Sequence, residues 1–228
     1  MRPVLTFVAV LAALAAGCGG ASGGGSKGPP PKFVAPDGPA LGRLTTGSSW
    51  TYAVTDPTLG NYTKVVTVGG PTTVPGTAQA AVQVDENIPA YDTLAWHSQG
   101  DGIVLKWREE QRVGGLLTQT TTWSPGVMKT LALSAPSGWT WESDAVQTVT
   151  YPDGTPGTQK YVSYVWTVLS ASERITEPAG TFDCIKVQRV NPQKLEKTKT
   201  YWIAAGIGKV REEDGTGVVE ELSSYDLK

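Results

Sequence analysis

The sequence contains few of the residues that carry most protein chemistry. Its 228 residues include one His, two Cys and two Met, and charged residues make up 18% of the chain. So few His and Cys exclude clustered zinc sites, haem held by paired His, and a scaffold of many disulfides. We therefore expect no metal site and no cofactor. The low charged fraction is also untypical of a highly charged disordered protein.

Aromatic and β-branched residues are plentiful instead. Thr and Val are abundant beside 8 Trp and 8 Tyr, and 27 Gly and 16 Pro interrupt them. β-branched and aromatic side chains favour strands, whereas Gly and Pro favour turns. The composition therefore predicts an all-β chain of many short strands. The formal net charge of -2 argues against a surface for nucleic acid, so we expect no nucleic-acid partner.

The N-terminal segment has the features of a bacterial export signal. Arg2 precedes an uncharged apolar stretch that is too short for a permanent membrane helix, which needs about 20 residues. The run Leu14-Ala15-Ala16-Gly17-Cys18 resembles the lipobox of bacterial lipoproteins, although Ala15 stands where Leu is commonest. The resemblance implies that the signal, 1–17, is cleaved and that Cys18 is acylated. A conventional secretory signal with a chance Cys is the alternative.

A tether is predicted between the acylated Cys and the folded part. Residues 18–40 are rich in Gly and Ser first and in Pro later, a composition that cannot bury a core. The acyl chains hold such a protein on a membrane without a spanning helix. We expect a lipid-anchored protein of the bacterial cell envelope, on the periplasmic face of the outer membrane or at the cell surface. An all-β domain is predicted over 41–228.

The predicted domain consists of short segments in which apolar and polar residues alternate. Each segment ends at a turn former within about 8 to 12 residues, and short turns force consecutive strands to run antiparallel. A curved antiparallel meander sheet or an open barrel is therefore predicted. Tyr161, Val165 and Leu169 are expected to share one apolar face. The predicted turns are 69–70, 99–102, 114–115, 153–154 and 214–217.

Two parts of the sequence resemble each other. The segments that begin at Trp96 and Trp202 share Trp, two Gly and Val at identical spacing, and the tripeptide Arg-Glu-Glu follows both. The similarity predicts two duplicated halves, 41–130 and 131–228, that use one hairpin twice. The matching segments are Trp96 to Val104 with Trp202 to Val210, Arg108 to Glu110 with Arg211 to Glu213, and 47–52 with 137–141.

Ala179 to Val187 and Tyr201 to Val210 contain the motifs Gly-Thr-Phe-x-Cys and Trp-x-Ala-x-Gly-x-Gly-x-Val. In these motifs the chain resembles a set of uncharacterised bacterial exported lipoproteins with a β-meander domain, and the similarity covers most of residues 41–226. It implies a strongly curved antiparallel sheet or open barrel, comparable in shape to the half-barrels of lipoprotein and lipid carriers. The resemblance implies no reaction.

The residues suited to catalysis do not form a recognisable set. Trp96 takes the apolar position of its strand, so His97 is expected on the other face, at the surface or rim. Cys184 is expected to be a free, buried thiol. The pairs Glu109-Glu110, Glu212-Glu213 and Glu220-Glu221 are expected to be solvated strand ends. We therefore expect no catalytic residue and no enzyme activity.

The tryptophans are the remaining candidates for a site, because one small core seldom absorbs eight of them completely. A partly open apolar concavity would suit an acyl chain, an apolar peptide or a partner protein. The sequence thus favours a non-enzymatic binding or assembly component of the envelope, with an envelope protein or apolar ligand as partner. The alternative is a carrier that shelters a lipid or acyl chain in a curved sheet. The predicted lining is Trp96, Trp107, Trp123, Trp166 and Trp202.

Overall fold

The computed structural model describes residues 34–228. The predicted acylation site Cys18 and the lipobox lie outside the described residues. Within 34–228 the chain forms strands and one short 3-10 helix, so the predicted all-β class is confirmed. A search of the same range for a helix with the length and hydropathy of a membrane span finds none.

The described chain passes through twelve consecutive strands. A 3-10 helix, Leu195–Lys197, lies between the ninth and tenth of them. The strands are β1 (Ser49–Asp56), β2 (Gly60–Thr73), β3 (Ala80–Ile88), β4 (Tyr91–Gly100), β5 (Ile103–Val113), β6 (Leu116–Leu131), β7 (Thr140–Thr150), β8 (Thr158–Glu177), β9 (Gly180–Val190), β10 (Lys199–Ala204), β11 (Gly208–Asp214) and β12 (Val219–Asp226).

The strands form one closed antiparallel barrel. Each strand pairs with its neighbours in sequence, and β1 pairs with β12, where Tyr52 lies opposite Leu222. The predicted curved meander is confirmed, and the sheet closes completely. Register shifts in the β5–β6 and β8–β9 pairs mark bulges, which bend strands and increase their twist. Among the described residues, closure gives every strand a paired neighbour on both sides.

Four of the five predicted turns join consecutive strands. At the β4–β5 turn, Asp101 and Gly102 have φ values of 52° and 75°, a conformation that Gly adopts without steric cost. The exception is the Gly69-Gly70 pair, which lies inside β2. The register of β2 against β3 shifts between Val68 and Pro71, so the two glycines form an irregularity within the strand. Gly inside a strand often marks such a site.

The segment before β1 covers one end of the barrel. The Leu41 amide donates to the Ala132 carbonyl at 3.0 Å, and the Gly206 amide donates to the Ala40 carbonyl at 2.9 Å. Pro36 packs against Gly102 so closely that a Cβ on the glycine would lie 2.9 Å from the proline ring. The chain therefore contacts the barrel before residue 41, where the domain was predicted to start.

β8 buries the face opposite to the predicted one. Tyr161 and Leu169 are 55% and 43% exposed, whereas Val162, Trp166 and Val168 are buried. The expected apolar face of this strand is therefore wrong. Both faces of β8 carry large apolar residues, so alternation alone does not decide which face is buried; the pairing register does.

The β4–β5 and β10–β11 hairpins are the fourth and fifth strands of two successive sets of six. Trp96 and Trp202 each lie immediately before a register shift. Trp96 lies opposite Arg108, and Trp202 lies opposite Arg211. The guanidinium carbons are 5.4 Å and 5.7 Å from the respective indole centroids. The two hairpins correspond in these contacts, while their origin by duplication stays a prediction.

Candidate functional site

The five tryptophans predicted to line one concavity are distributed over four separate clusters. Trp96 packs with Val74 and Ala81, with Trp107 partly buried beside it. Trp123, Trp166 and Trp202 belong to three further clusters. None of the five lines either of the two cavities described below. Their role in ligand binding stays a prediction.

The barrel encloses charged side chains where an apolar concavity was expected. Charges in an interior are costly unless each has a partner, and here the two signs alternate in space. We call the set the lumen charge cluster. Its members are the ammonium groups of Lys64, Lys106, Lys129, Lys199 and Lys209 and the carboxylates of Glu86, Glu109, Glu212 and Glu220.

Two lysines bridge three of the carboxylates. Lys64 Nζ lies 2.9 Å from Glu86 Oε2 and 3.1 Å from Glu220 Oε1. Lys209 Nζ lies 2.6 Å from one oxygen each of Glu212 and Glu220. Glu212 and Glu220 face each other directly across β11 and β12. Like charges in that position repel, so the lysine between them holds the pair together.

The ion pairs fix the protonation of the cluster. Burial raises the pKa of Glu212, but Lys209 and Lys199 outweigh burial and hold this pKa well below its usual range. Burial likewise raises the pKa of Glu86, and Lys129 and Lys64 bring it well below the ordinary value. These carboxylates are therefore ionised at neutral pH.

The expectation that the three Glu-Glu pairs are solvated strand ends is wrong in part. Glu212 and Glu220 are each only 7% exposed. Adjacent residues of a strand do point to opposite faces, so one member of each pair enters the barrel. The sequence patterns Lys106-x-x-Glu109 and Lys209-x-x-Glu212 contain the ion pairs at 2.6 Å, and the Glu of each pattern is the interior carboxylate of its hairpin.

Two cavities adjoin the lumen charge cluster. The polar cavity has a volume of about 290 Å³, and Asp56, Leu59 and Val218 line it from the β1–β2 and β11–β12 turns. The apolar cavity has a volume of about 130 Å³ and lies beside residues 42–44 at the covered end of the barrel. Three charged side chains line both cavities, so these side chains lie between them. They are Glu86, Lys129 and Glu212.

Lys129 is the most loosely paired lysine of the cluster. Its Nζ lies 3.5 Å from Glu86 Oε1, and 37% of its side chain is accessible. The Glu86 carboxylate raises the pKa of Lys129, but burial and the ammonium groups of Lys106 and Lys64 outweigh it and leave the pKa below the usual Lys value. Lys129 is thus a cation at the boundary of the two cavities whose nearest carboxylate is farther away than that of any other lysine of the cluster.

His97 lies inside the barrel, so its predicted position at the surface or rim is wrong. It is 3% exposed and lines the apolar cavity. Trp96 does occupy the other face of β4, but Val74 and Ala81 cover that face. Both faces of β4 are therefore buried. Among the described residues, His97 Nε2 has no hydrogen-bond partner.

The buried imidazole predicts a loss of stability in mild acid. Burial first, and then Lys129 and Lys106, lower the pKa of His97 to about 3. The pKa of His in the unfolded state is about 6.5. As the pH falls below that value, the unfolded state binds a proton, whereas His97 in the folded state stays neutral. We expect this residue to reduce the free energy of unfolding by about 2 kcal/mol between pH 7 and pH 5.

Urea unfolding of the wild type and His97→Gln at both pH values measures this effect. The carboxylates contribute equally to both proteins, so the difference between them isolates the imidazole. The acid-induced loss should be smaller in the variant by that amount. An identical loss in both proteins would show that another group titrates.

Cys184 is a free, buried thiol, as predicted. It is 2% exposed and packs with Phe182 and Trp202. Burial, aided by Asp183 and Glu177, raises the pKa of the thiol to about 12. Since the thiolate is the nucleophilic form, this residue is unreactive at neutral pH.

Comparisons with known proteins give a partial family match and two similar structures. A family model described as DUF3108-like matches residues 142–226, most of β7 to β12. The crystal structure of a protein described as a lipoprotein, from Parabacteroides distasonis, is 16% identical, with 83% of this chain and 100% of that chain covered and a TM-score of 0.39. A protein described as exported, with a YmcC-like fold, from Bacteroides fragilis is 13% identical, with 85% and 100% covered and a TM-score of 0.39.

No curated protein matches the chain. The coarse resemblance expected from the sequence, to exported and lipoprotein-like bacterial proteins, agrees with the descriptions of these two structures. The lipobox and the two sequence motifs stay predictions.

Proposed function

We propose that this chain is an exported, lipid-anchored binding component of the bacterial cell envelope that acts without enzymatic chemistry. The observation that carries the proposal is the closed barrel with a charged cavity of about 290 Å³ behind a lipobox-like segment. Barrels of this kind hold small ligands inside and present few features for chemistry unless acids, bases and nucleophiles meet in the cavity.

The states of the two most reactive residue types support binding over catalysis. His97 is neutral and buried, with a pKa of about 3, so it is a poor base at neutral pH. Cys184 packs in the cluster that contains Phe182 and Trp202, and it lies outside both cavities. A nucleophile and a base within hydrogen-bond reach would be needed for the usual hydrolytic mechanisms.

Access to the polar cavity is compatible with an anchor at the N-terminus. The described chain begins at the covered end of the barrel, where Pro36 and Leu41 pack. The polar cavity reaches the opposite end, at the β1–β2 and β11–β12 turns. The turns that line this cavity therefore lie at the end of the barrel opposite to the first described residues.

The cavity dimensions oppose the alternative function of carrying a long acyl chain. The apolar cavity, of about 130 Å³, is smaller than the roughly 300 to 1,000 Å³ that is usual for ligand pockets. The larger cavity is lined by charges that an acyl chain would desolvate. A carrier role is favoured only for a small or short-chain ligand.

A deletion strain that receives variants of the full chain tests the proposal. The wild type should incorporate radioactive palmitate and float with membranes, and Cys18→Ser should lose both properties and fail to complement the deletion. Cys184→Ala should keep all three, since the buried thiol performs no chemistry and lies outside both cavities. Palmitate labelling of Cys18→Ser would exclude the anchor, and a folded, membrane-bound Cys184→Ala that fails to complement would exclude the non-enzymatic role.

A further inference from the structure

We propose that the lumen binds a small monocarboxylate with a short alkyl chain, whose carboxylate pairs with Lys129 and whose chain fills the apolar cavity. This assignment rests on the binding function proposed above and names its class of ligand. Three independent features of the lumen support it: its charge balance, an unpartnered polar atom and the shape and lining of the apolar cavity.

The side chains that line the apolar cavity include one more cation than anions. Arg43, Lys129 and Lys209 face Glu86 and Glu212 there. In the lumen charge cluster, four of the five lysines have a carboxylate oxygen within 2.9 Å. Lys129 is the fifth, with its nearest carboxylate oxygen at 3.5 Å. A bound monoanion would balance the charge at Lys129.

A second polar group near Lys129 also lacks a partner. His97 Nε2 is buried without a hydrogen bond in the described part of the chain, and the residue lines the apolar cavity together with Lys129. Buried polar atoms in native proteins are nearly always satisfied, so an unsatisfied one at a cavity wall indicates a missing partner. A neutral imidazole has one N–H, which can donate to a carboxylate oxygen held by the lysine.

The remaining wall of the apolar cavity suits an alkyl chain. Aliphatic and aromatic side chains form it, and its volume of about 130 Å³ is below the roughly 300 to 1,000 Å³ that is usual for ligand pockets. A carboxylate at Lys129 with a short alkyl chain, such as pentanoate, would therefore suit the space. The apolar lining includes Trp50, Val66, Val84, Val104, Leu131 and Ile203.

The same residues disfavour other small ligands. An organic cation would meet the three cations that line the apolar cavity, Arg43, Lys129 and Lys209. A phosphate dianion would bring a second negative charge towards Glu86 and Glu212 at the boundary of the two cavities. One cation in excess beside an apolar wall matches a single negative charge on an apolar chain.

Isothermal titration calorimetry on the full chain with Cys18→Ser tests the ligand class. This substitution lies outside the described barrel and removes the need for detergent, which would compete for an apolar cavity. We expect pentanoate to bind at least tenfold more tightly than pentanamide, pentylammonium or inorganic phosphate. Decanoate should bind more weakly than pentanoate, because its chain exceeds the cavity.

Lys129→Met tests the position of the carboxylate. It keeps the length of the side chain and removes the charge, so pentanoate affinity should fall at least tenfold. Lys160→Met is the matched control, because Lys160 is exposed on β8. This variant should bind pentanoate with the affinity of the wild type. If Lys129→Met does not fold, the wild type still provides a test: the chain has one His, and pentanoate should shift its imidazole NMR signals.

Equal affinities for pentanoate and pentanamide would overturn the proposal, as would unchanged pentanoate binding in a folded Lys129→Met. Tighter binding of pentylammonium or phosphate would assign the lumen to another class of ligand and also overturn it. These titrations do not depend on acylation or export. Failure of carboxylate binding with normal palmitate labelling and complementation would therefore reject the ligand and leave the envelope function standing.

Discussion

Lys209→Met is expected to lower the free energy of unfolding by about 3 to 5 kcal/mol. The ammonium group lies 2.6 Å from Glu212 and 2.6 Å from Glu220, which face each other across β11 and β12. Both carboxylates are only 9% exposed, so water replaces the lost partner poorly. The variant leaves two like charges directly opposite each other in a largely buried site.

Urea unfolding at pH 7 measures the loss, and an exposed ion pair of the same length provides the control. Lys228 Nζ lies 2.6 Å from Asp226, with the two side chains 52% and 63% exposed. Lys228→Met should therefore change stability by less than about 0.5 kcal/mol. Adding Glu220→Gln to Lys209→Met should recover part of the loss, because it removes one of the two facing carboxylates that Lys209 bridged. Equal effects of the two lysine substitutions would contradict a buried network.

The sequence predicts the fold because its signals are local. The Gly-rich turns at 101–102 and 114–115 lie between strands that pair with each other, and such turns determine a meander. Closure depends on the pairing of β1 with β12, whose partners Tyr52 and Leu222 are far apart in sequence. No local pattern encodes that contact, and the choice between an open and a closed barrel therefore required the structure.

The interior site is harder to predict for the same reason. Lys64 of β2 pairs with Glu86 of the next strand and with Glu220 of β12, which is distant in sequence, and each residue alone has the pattern of an exposed strand position. The repeated Lys-x-x-Glu spacing, which contains the interior carboxylates Glu109 and Glu212, is the one local signal of the cluster. The tryptophans do not indicate the interior site, because Trp96 and Trp202 stack against arginines on the outer face of their hairpins.

The two six-stranded sets agree at a further point, the start of their first strands. Gly47 and Gly138 both have φ of 85°, and their amides donate at 2.8 Å to the carbonyls of Val68 and Val168. A side chain at that φ is strained, so each set begins at a position that favours Gly. In the sequence, the Gly and Trp that segments 47–52 and 137–141 share indicate this correspondence. It supports an origin by duplication, which stays a prediction.

Trp166→Ala is expected to destabilise the barrel by about 3 to 5 kcal/mol. The side chain is 0% exposed and stacks on Tyr201, with ring centroids 5.5 Å apart. Its Nε1 has no hydrogen-bond partner among the described residues, so the substitution removes packing and leaves no polar group unpaired. Domains are stable by about 5 to 15 kcal/mol, so this loss would bring the variant close to unfolding at ordinary temperature.

Tyr161→Ala is the matched control for this packing effect. Tyr161 lies on the same strand, β8, and is 55% exposed. Loss of a largely solvated ring should change stability by no more than about 0.5 kcal/mol. Thermal and urea unfolding of both variants would measure the difference, and the sheet pairing predicts it because Trp166 lies on the inner face and Tyr161 on the outer one. A larger loss for Tyr161→Ala would restore the face predicted from the sequence and contradict the register of β8.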